Sequence, residues 1–424
     1  MRNQKTSRTL DPRYIRQLNC TRIFRVVRER EPVSRAEIAR LTQLSATTVS
    51  EAVTTLLRAG FVTEAELGGS SGGRPPIMLR VNGDRGYIVG VDLDVGRVTV
   101  ALSNLHLDLV GMRTAQLASA EYSYVVREMQ REIEELMDNC GVSMDKLLGI
   151  GVGVPGHVDF EKGILKFAPN LGWSNAPLKE DMEHAFGVPV YIENDAKLCA
   201  LGEKTFGVGQ QATEIVFVAI KTGIGCGVVI DGSIYRGIDG SAGEFGHMTI
   251  DAAGPRCACG NHGCWETFAD DNAIIGRALR ELAASKDSLL FKRCGGDARR
   301  LTIEDVTTAL QEGDEAAARI VQETAWYLGI GIVNIVNAFN PELVILGGQI
   351  TKAGPVLFDT IGSMVRERAL GVPASRVQIV PSGLGDMACV MGCFALVAEE
   401  QLEHPATLAL NVFAHADQVA ETSH

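Results

Sequence analysis

The apolar residues near the start of the chain recur at the spacing of short helices. Between residues 19 and 30, Ile23, Val26 and Val27 fall on one face of a predicted helix. Pro32 interrupts that pattern, because proline lacks the backbone N–H that a helix interior requires. The sequence therefore predicts a first helix followed by a break.

Two further helices follow, and each has a capping residue at its start. Ser34 and Glu37 have the spacing of a capping box, in which the hydroxyl and the carboxylate each satisfy a free backbone N–H. Ser45 can cap the next helix, which runs to about Ala59, and Gly60 provides its C-terminal cap. Two helices of this length joined by a tight turn predict a helix-turn-helix.

Two strand-like segments, 61–67 and 77–81, flank the glycine-rich run 68–76, which predicts the hairpin of a wing. A winged helix-turn-helix over residues 12–82 indicates DNA binding, and Arg74 is a candidate minor-groove contact. The exposed start of the last helix carries short polar side chains that suit base edges or phosphates in a major groove: Ser45, Thr47, Thr48 and Ser50. The alternative is a small helical bundle that contacts another protein.

The rest of the chain alternates strand and helix patterns, which predicts an α/β body. Two hairpins share one plan: strands 87–92 and 98–103 form the first, and strands 215–220 and 228–231 form the second around the glycine-rich turn 221–227. Such a repeat predicts a duplicated fold whose two lobes enclose a ligand cleft. Helical patterns occupy residues 123–139, 177–186, 196–206, 268–284, 303–336 and 386–401.

The charge of the chain is unevenly distributed. The 424 residues have a net charge of −12, yet residues 1–80 carry 14 Lys and Arg against 7 Asp and Glu, whereas the remainder has a net charge of −19. A basic head is attracted to phosphates and an acidic body is repelled by them, which favours DNA binding by the head. The polar first ten residues and the lack of an apolar run of about 18 residues predict a cytoplasmic protein without a membrane span.

Three cysteines lie within eight residues and predict a metal site. Cys257, Cys259 and Cys264, together with one histidine, complete a tetrahedral zinc set in which no position remains for a catalytic water. His247 and His262 are both candidates for the histidine ligand. Ordinary buried thiols are the alternative interpretation.

Three segments together resemble the ROK family of repressors, open reading frames and sugar kinases: 193–196, 243–247 and 257–266. The resemblance covers essentially the whole chain, and the head is of the kind found on the family's repressors, which the family's kinases lack. It implies a winged helix-turn-helix followed by an α/β two-lobed actin-like (sugar kinase/Hsp70-like ATPase) fold with a structural zinc site, and a homodimer or homotetramer. The implied divisions are a small lobe over 86–199 with 386–402 returning to it, a large lobe over 200–385, and a tail over 403–424.

The resemblance also implies a sugar site. His247 becomes the zinc ligand with Cys257, Cys259 and Cys264, and its second ring nitrogen faces the sugar, so that the metal orients a sensing residue. Asp195 stands where the family's kinases place their catalytic base. The implied sugar contacts are Asn170, Asn194, Asp195, Glu244, His247 and Glu266.

One departure from the family pattern bears on catalysis. The family's kinases have Asp-x-Gly-Gly-Thr at the first phosphate turn, where this chain places Asp94 and Val95, and Lys221 stands in the second turn at a position often occupied by glycine. A carboxylate close to the phosphates of ATP disfavours ATP binding, because like charges repel at short distance. We therefore expect Asp195 to be a vestigial base, and we expect no catalytic residue.

Three functions are compatible with these patterns. The favoured one is a repressor of carbohydrate genes whose affinity for a DNA operator changes when a sugar or sugar phosphate binds between the lobes. The others are an active ATP-dependent sugar kinase with an added DNA-binding head, and a regulator controlled by a protein partner. The sequence does not distinguish glucose, N-acetylglucosamine and xylose as effectors.

Overall fold

The computed structural model describes residues 12–67, 75–284, 288–295 and 297–403. Arg74, the predicted wing tip around it and the tail beyond residue 403 lie outside the described residues.

The head is a helix-turn-helix with a small antiparallel sheet in the order β1-β3-β2. The first helix begins at Pro12, seven residues before the predicted start, because Tyr14, Ile15 and Leu18 in its first turns are exposed and give no buried apolar stripe. The elements are α1 (Pro12–Arg30), β1 (Val33–Ser34), α2 (Arg35–Thr42), α3 (Ala46–Arg58), β2 (Val62–Leu67) and β3 (Ile77–Val81).

Both predicted N-terminal caps of the head are present, although one is simpler than predicted. The Ser45 hydroxyl accepts a hydrogen bond from the backbone N–H of Thr48 at 3.1 Å. The Ser34 hydroxyl likewise accepts from Glu37 N–H at 3.2 Å. The Glu37 carboxylate, however, contacts Arg40 at 3.3 Å instead of completing a capping box, since the arginine offers a charged donor one turn along α2.

The small lobe is a five-stranded sheet in the order β11-β7-β4-β5-β6, with a separate three-stranded sheet in the order β10-β9-β8. Its central strand β4 is buried along almost its whole length. The elements are β4 (Tyr87–Asp94), β5 (Arg97–Ser103), β6 (Leu109–Gln116), α4 (Tyr122–Asn139), β7 (Leu147–Val154), β8 (His157–Asp159), β9 (Ile164–Ala168), β10 (Trp173–Ala176), α5 (Leu178–Phe186) and β11 (Val190–Asn194).

The large lobe contains a second five-stranded sheet, in the order β14-β13-β12-β15-β16. Its elements are α6 (Asp195–Thr205), β12 (Ile215–Ile220), β13 (Ile224–Ile230), β14 (Ser233–Ile234), α7 (Glu266–Ala269), α8 (Asp271–Ala284), α9 (Leu289–Arg293), α10 (Ile303–Gln311), α11 (Glu315–Phe339), β15 (Leu343–Gly347), α12 (Pro355–Arg368), α13 (Gly371–Arg376) and β16 (Gln378–Pro381). The last helix, α14 (Ala388–Ala398), follows the large lobe in the chain.

The two five-stranded sheets confirm the predicted duplication. In each lobe the first strand pairs antiparallel with the next strand of the chain and parallel with a strand that follows an intervening helix. A further parallel strand then completes each sheet on the same side. The bodies of both lobes are therefore built on one topology, with the first hairpin of each lobe presented at an equivalent position.

The second hairpin differs from its prediction in one respect. Residues predicted as a glycine-rich turn over 221–227 form a turn only at 221–223, and β13 already begins at Ile224. Gly227 lies within that strand, and a side chain is excluded there because a Cβ would stand 2.3 Å from the carbonyl oxygen of Ala196. Gly225 and Gly227 thus allow α6 to pack closely on the sheet and are not part of the turn.

One predicted helix in the body is also wrong, and the division between the lobes stays a prediction. The pattern over 303–336 is two helices, since α10 ends at Gln311 and Asp314 caps α11 by accepting from Ala317 N–H. Helix α6 runs without a break across 199–200, where the sequence analysis separated the lobes. We propose a division before Asp195, because α6 packs on the large-lobe strands β12 and β13.

Helix α14 joins three parts of the molecule. It packs on β4 and β7 of the small lobe, as the predicted return of residues 386–402 requires, and it crosses α6 at very close range. Val390 and Phe394 on α14 share a core with Ile23 and Phe24 of the head. The head therefore shares one apolar core with α14 and with the side of the small-lobe sheet that carries Ile88 and Ala101.

Candidate functional site

One histidine and three cysteines form a compact cluster. Their ligand atoms, which belong to His247, Cys257, Cys259 and Cys264, all lie within 4.8 Å of one another. Cys257 Sγ is 3.7 Å from His247 Nδ1, and Cys259 Sγ is 3.7 Å from Cys264 Sγ. His262 does not belong to this cluster, so the histidine that the structure places beside the three cysteines is His247.

Local backbone geometry brings these four residues together. His247 ends a single 3-10 turn, and Cys264 is placed opposite by a β-bridge to Thr249. Gly263 has a φ of +69°, and a Cβ there would stand 1.6 Å from the carbonyl oxygen of Asp251, so only glycine fits. Four convergent donors of this chemistry could hold a metal ion.

Glu266 connects the cluster to the cleft. Its Oε1 atom lies 2.9 Å from Cys257 Sγ and 3.4 Å from His247 Nδ1, while its Oε2 atom lies beside Gly223 in the turn between β12 and β13. Of the predicted sugar contacts, the structure therefore brings His247 and Glu266 into direct proximity.

A second pair of predicted contacts lies where β11 meets α6. Asn194 caps the helix by accepting from Lys197 N–H at 3.2 Å, and its amide donates to the carbonyl of Gly156 at 3.1 Å. These two bonds fix the orientation of the Asn194 side chain. Asp195 is the first residue of the helix, and its side chain is 15% exposed at the cleft.

An ion pair behind this segment was not anticipated from the sequence. The buried carboxylate of Glu193 is 2.6 Å from Arg236 Nε, and the Arg236 guanidinium lies 3.9 Å above the Phe160 ring. Glu193 also accepts from Asn194 N–H at 2.9 Å, so the pair anchors the end of β11. The sequence offered Glu193 as a charged residue within the motif 193–196, but it did not indicate Arg236 as the partner, which is 43 residues away.

Lys221 and Asp94, both noted as departures in the phosphate turns, contact each other across the cleft. Lys221 Nζ is 3.5 Å from Asp94 Oδ2 and 3.7 Å from Asp195 Oδ2. Burial raises the pKa of Asp195 to about 6, while Lys221 opposes that rise and Asp92 adds to it. A cavity of about 250 Å³ lies between the lobes at this point.

The other two predicted sugar contacts, Asn170 and Glu244, are exposed. Asn170 lies exposed in the turn between β9 and β10, and its side chain makes no hydrogen bond with a described residue. Glu244 is exposed at the start of the 3-10 turn that ends with His247. Burial lowers the pKa of Lys197, and Glu244 opposes that effect, which places the Glu244 carboxylate near the buried ammonium.

The predicted DNA contacts lie at the exposed start of α3. Ser45, Thr47 and Ser50 are exposed, whereas Thr48 is half-buried and its hydroxyl lies 2.8 Å from the Ser45 hydroxyl. Thr47 and Ser50 thus have the hydroxyls free of the capping interaction. No helix in the described part of the chain is long and apolar enough to cross a membrane.

The fold and these sites define a class of protein: a helix-turn-helix head on a two-lobed, duplicated α/β body that carries a Cys/His cluster beside its cleft. The chain belongs to the ROK family, whose pattern matches residues 88–400, and residues 21–66 match the IclR helix-turn-helix domain.

Similar proteins include regulators and a kinase. The xylose repressor of Bacillus subtilis (strain 168) is 34% identical over 393 residues, covering 93% of this chain and 98% of the repressor. A solved ROK family transcriptional regulator, a homologue of the E. coli MLC protein, is 30% identical, with a TM-score of 0.82 over 94% of this chain and 99% of that one. A ROK family glucokinase from Streptomyces griseus, in complex with glucose and AMPPNP, is 27% identical, with a TM-score of 0.67 over 73% of this chain and 99% of that one.

Proposed function

We propose that this protein is a sugar-responsive transcriptional repressor, located in the cytoplasm, that controls genes of carbohydrate uptake or metabolism. The observation that carries the proposal is the direct packing of a helix-turn-helix head on the small lobe of a sugar-kinase-like body. A ligand that changes the arrangement of the lobes can thereby change the position of the head.

The sugar binds in the cleft, on the polar residues that meet around the start of α6 and the Cys/His cluster. Carboxylates and amides can exchange hydrogen bonds with vicinal hydroxyls, and their desolvation is offset only when those hydroxyls are present. The proposed contacts are Asn170, Asn194, Asp195, Glu244, His247 and Glu266. Sugar shifts the equilibrium between lobe arrangements only if it binds one of them better.

The metal of the Cys/His cluster is zinc in this proposal, because one imidazole and three thiolates form a typical closed structural zinc site. Zinc held by these four residues would fix the position of His247 and, through it, of the adjacent Glu266 carboxylate. Its contribution is structural, and no water position remains on it for chemistry.

The head binds a double-stranded operator through α3. Thr47 and Ser50 are the proposed base or phosphate contacts, with Ser45 and Thr48 completing the helix start and Arg74 reaching the minor groove. Two copies of the chain, in a homodimer or within a homotetramer, would place two heads on a palindromic site, since half-site spacing follows protein symmetry.

The test is operator release by sugar. Zinc-loaded, full-length protein is bound to fluorescent DNA from its own upstream region, and D-xylose, D-glucose, N-acetyl-D-glucosamine and their phosphates are titrated in. D-xylose is the first probe because the Bacillus subtilis relative is a xylose repressor. We expect one sugar to weaken DNA binding roughly tenfold or more, which corresponds to a coupling free energy of about 1.4 kcal/mol.

Two controls accompany that titration. The Asp195→Asn variant should bind DNA normally and lose most of the response to sugar. A coupled assay for ADP release should show no turnover that depends on sugar. DNA binding that no sugar or sugar phosphate changes would contradict the proposal and favour control by a protein partner.

A further inference from the structure

One ammonium group occupies the point where the two lobes face each other. Lys221 lies in the turn after β12 of the large lobe, and Asp94 ends β4 of the small lobe. Lys221 Nζ is 3.5 Å from Asp94 Oδ2 and 3.7 Å from Asp195 Oδ2. A single cation therefore bridges the small lobe and the first residue of α6.

The surroundings of this lysine contain an excess of acidic groups. Asp92 on β4 is 6% exposed, and its Oδ1 atom has no hydrogen-bond partner among the described residues. The Oδ1 atom of Asp271, at the start of α8, also has no hydrogen-bond partner among the described residues. Asp92 and Asp271 both line the cavity between the lobes. Arg97 Nη2 is the other cation, 3.6 Å from Asp94 Oδ2.

Thiols complete the groups that face Asp195 and Lys221. Cys199 on α6 and Cys389 on α14 are buried against the same cavity. The hydrogen bond with Cys389, followed by burial, raises the pKa of the Cys199 thiol well above its usual range. The hydrogen bond with Cys199 lowers the pKa of the Cys389 thiol, but a hydrogen bond with Cys393 and burial raise it well above its usual range. Neutral thiols supply no positive charge. Lys221 is consequently the cation within contact distance of the Asp195 carboxylate.

The charge balance explains what this cation does. Burial lowers the pKa of Lys221, but Asp195, Asp92 and Asp94 raise it more, so the ammonium stays charged. In the other direction, Lys221 limits the rise in the pKa of Asp195, which burial, Asp92 and Asp94 bring to about 6. An ionised Asp195 is an acceptor with both oxygens, whereas a protonated one offers a hydroxyl donor.

We propose that Lys221 is a positioning residue of the sugar site: its ammonium orients the Asp195 carboxylate as an acceptor for a sugar hydroxyl and bonds Asp94 of the opposite lobe at the same point. The proposal rests on the proposed function, because it assumes that Asp195 contacts the sugar. It gives the altered phosphate turns a role in ligand binding, since the lysine in one turn and the aspartate in the other form the bridge.

The experiment measures sugar affinity as a function of pH. Isothermal titration calorimetry is performed on the zinc-loaded full-length chain with D-xylose, D-glucose and N-acetyl-D-glucosamine between pH 5.5 and 8. The variants are Lys221→Met, which removes the charge and keeps the chain length, and Lys221→Arg, which keeps the charge. Lys352→Met, at an exposed lysine that does not line the cavity, is the matched control.

The expected results separate positioning from a general effect on folding. At pH 7.5, Lys221→Met should bind sugar roughly tenfold more weakly, because the Asp195 carboxylate loses the ammonium that orients it, while Lys221→Arg and Lys352→Met stay within about threefold. Wild-type affinity should fall below about pH 6, and in Lys221→Met the midpoint of that fall should move to higher pH. DNA binding without sugar should not change.

Two outcomes would overturn the idea in different ways. Equal affinity and an equal pH midpoint in Lys221→Met and wild type would refute the role of Lys221 and leave the sugar sensor intact. Failure of the wild type to bind any of the three sugars or any of their phosphates would refute the proposed function itself. If Lys221→Met does not fold, Lys221→Gln provides the same test, since it also removes the charge.

Discussion

At the residue scale, three carboxyl groups in or beside the cleft are largely held out of water, and one of them, Asp271, has an oxygen without a hydrogen-bond partner among the described residues. Burial raises the pKa of Asp195, Asp270 and Asp271 to about 6 in each case. A carboxyl with a raised pKa binds its proton more tightly in the folded chain than in the unfolded chain. Such a group costs stability above pH 6, and the cost disappears as the pH falls towards the unfolded value.

This argument predicts the behaviour of Asp271→Asn in the sugar-free protein. The variant should be more stable than wild type at pH 7.5, by roughly 1 kcal/mol once the partial exposure of the side chain is allowed for. The advantage should shrink as the pH falls through 6 and vanish near pH 4. Urea unfolding at several pH values measures it, and an advantage independent of pH would contradict the charge-based explanation.

Residue chemistry was predictable where it was local in sequence. The cysteine spacing predicted the cluster that the structure forms, and the helical pattern over 196–206 predicted α6 to within one residue at each end. The Lys221–Asp94 contact could not be predicted, because its partners are 127 residues apart and belong to different lobes. Nothing in a local pattern indicates which charges meet when two lobes face each other.

At the scale of elements, the crossing of α6 and α14 depends on two glycines. A Cβ at Gly202 would stand 2.3 Å from the carbonyl oxygen of Ala388, and one at Gly392 would stand 1.9 Å from that of Leu198. Each helix therefore rests on the backbone of the other, without a side chain that could rotate away. The sequence predicted both helices, but it gave no sign of this contact.

Gly392→Ala should force the two helices apart. We expect a loss of about 1–3 kcal/mol in the free energy of unfolding, as for other overpacked cores, together with a weaker response of DNA binding to sugar. Gly371→Ala is the control, because a Cβ at Gly371 would meet no atom within 4 Å. Urea denaturation and operator titration measure the two effects, and a wild-type midpoint for Gly392→Ala would show that the crossing is not tight in solution.

At the scale of the whole molecule, the head is fixed to the body by packing and by polar contacts. Glu31, which directly follows α1, lies 2.8 Å from His106 of the small lobe, and Arg85 donates to the carbonyl of Ala59 at 2.8 Å. Leu105 and Phe394 of the body are fully buried in the core that they share with the head. Sequence patterns predicted the helices and strands of the head, yet they gave no information about this interface.

We predict that head and small lobe unfold together. Phe394→Ala, in the body, should lower the unfolding midpoint of the head as much as that of the small lobe, with a cost of about 3–5 kcal/mol. Hydrogen exchange of amides in α3 and β4 measures the two parts separately. Selective loss of protection in β4, with α3 unchanged, would show that the head is an independent unit.

The shared core also limits how such regulators can be recombined. A head that is merely tethered could be exchanged for another by cutting the chain near residue 82. Here the cut would expose an apolar face of the body around Leu105, Val390 and Phe394. A chimaera that gives this sensor a new operator must therefore take its recognition helix from the donor and keep the face of α1 that packs on this body.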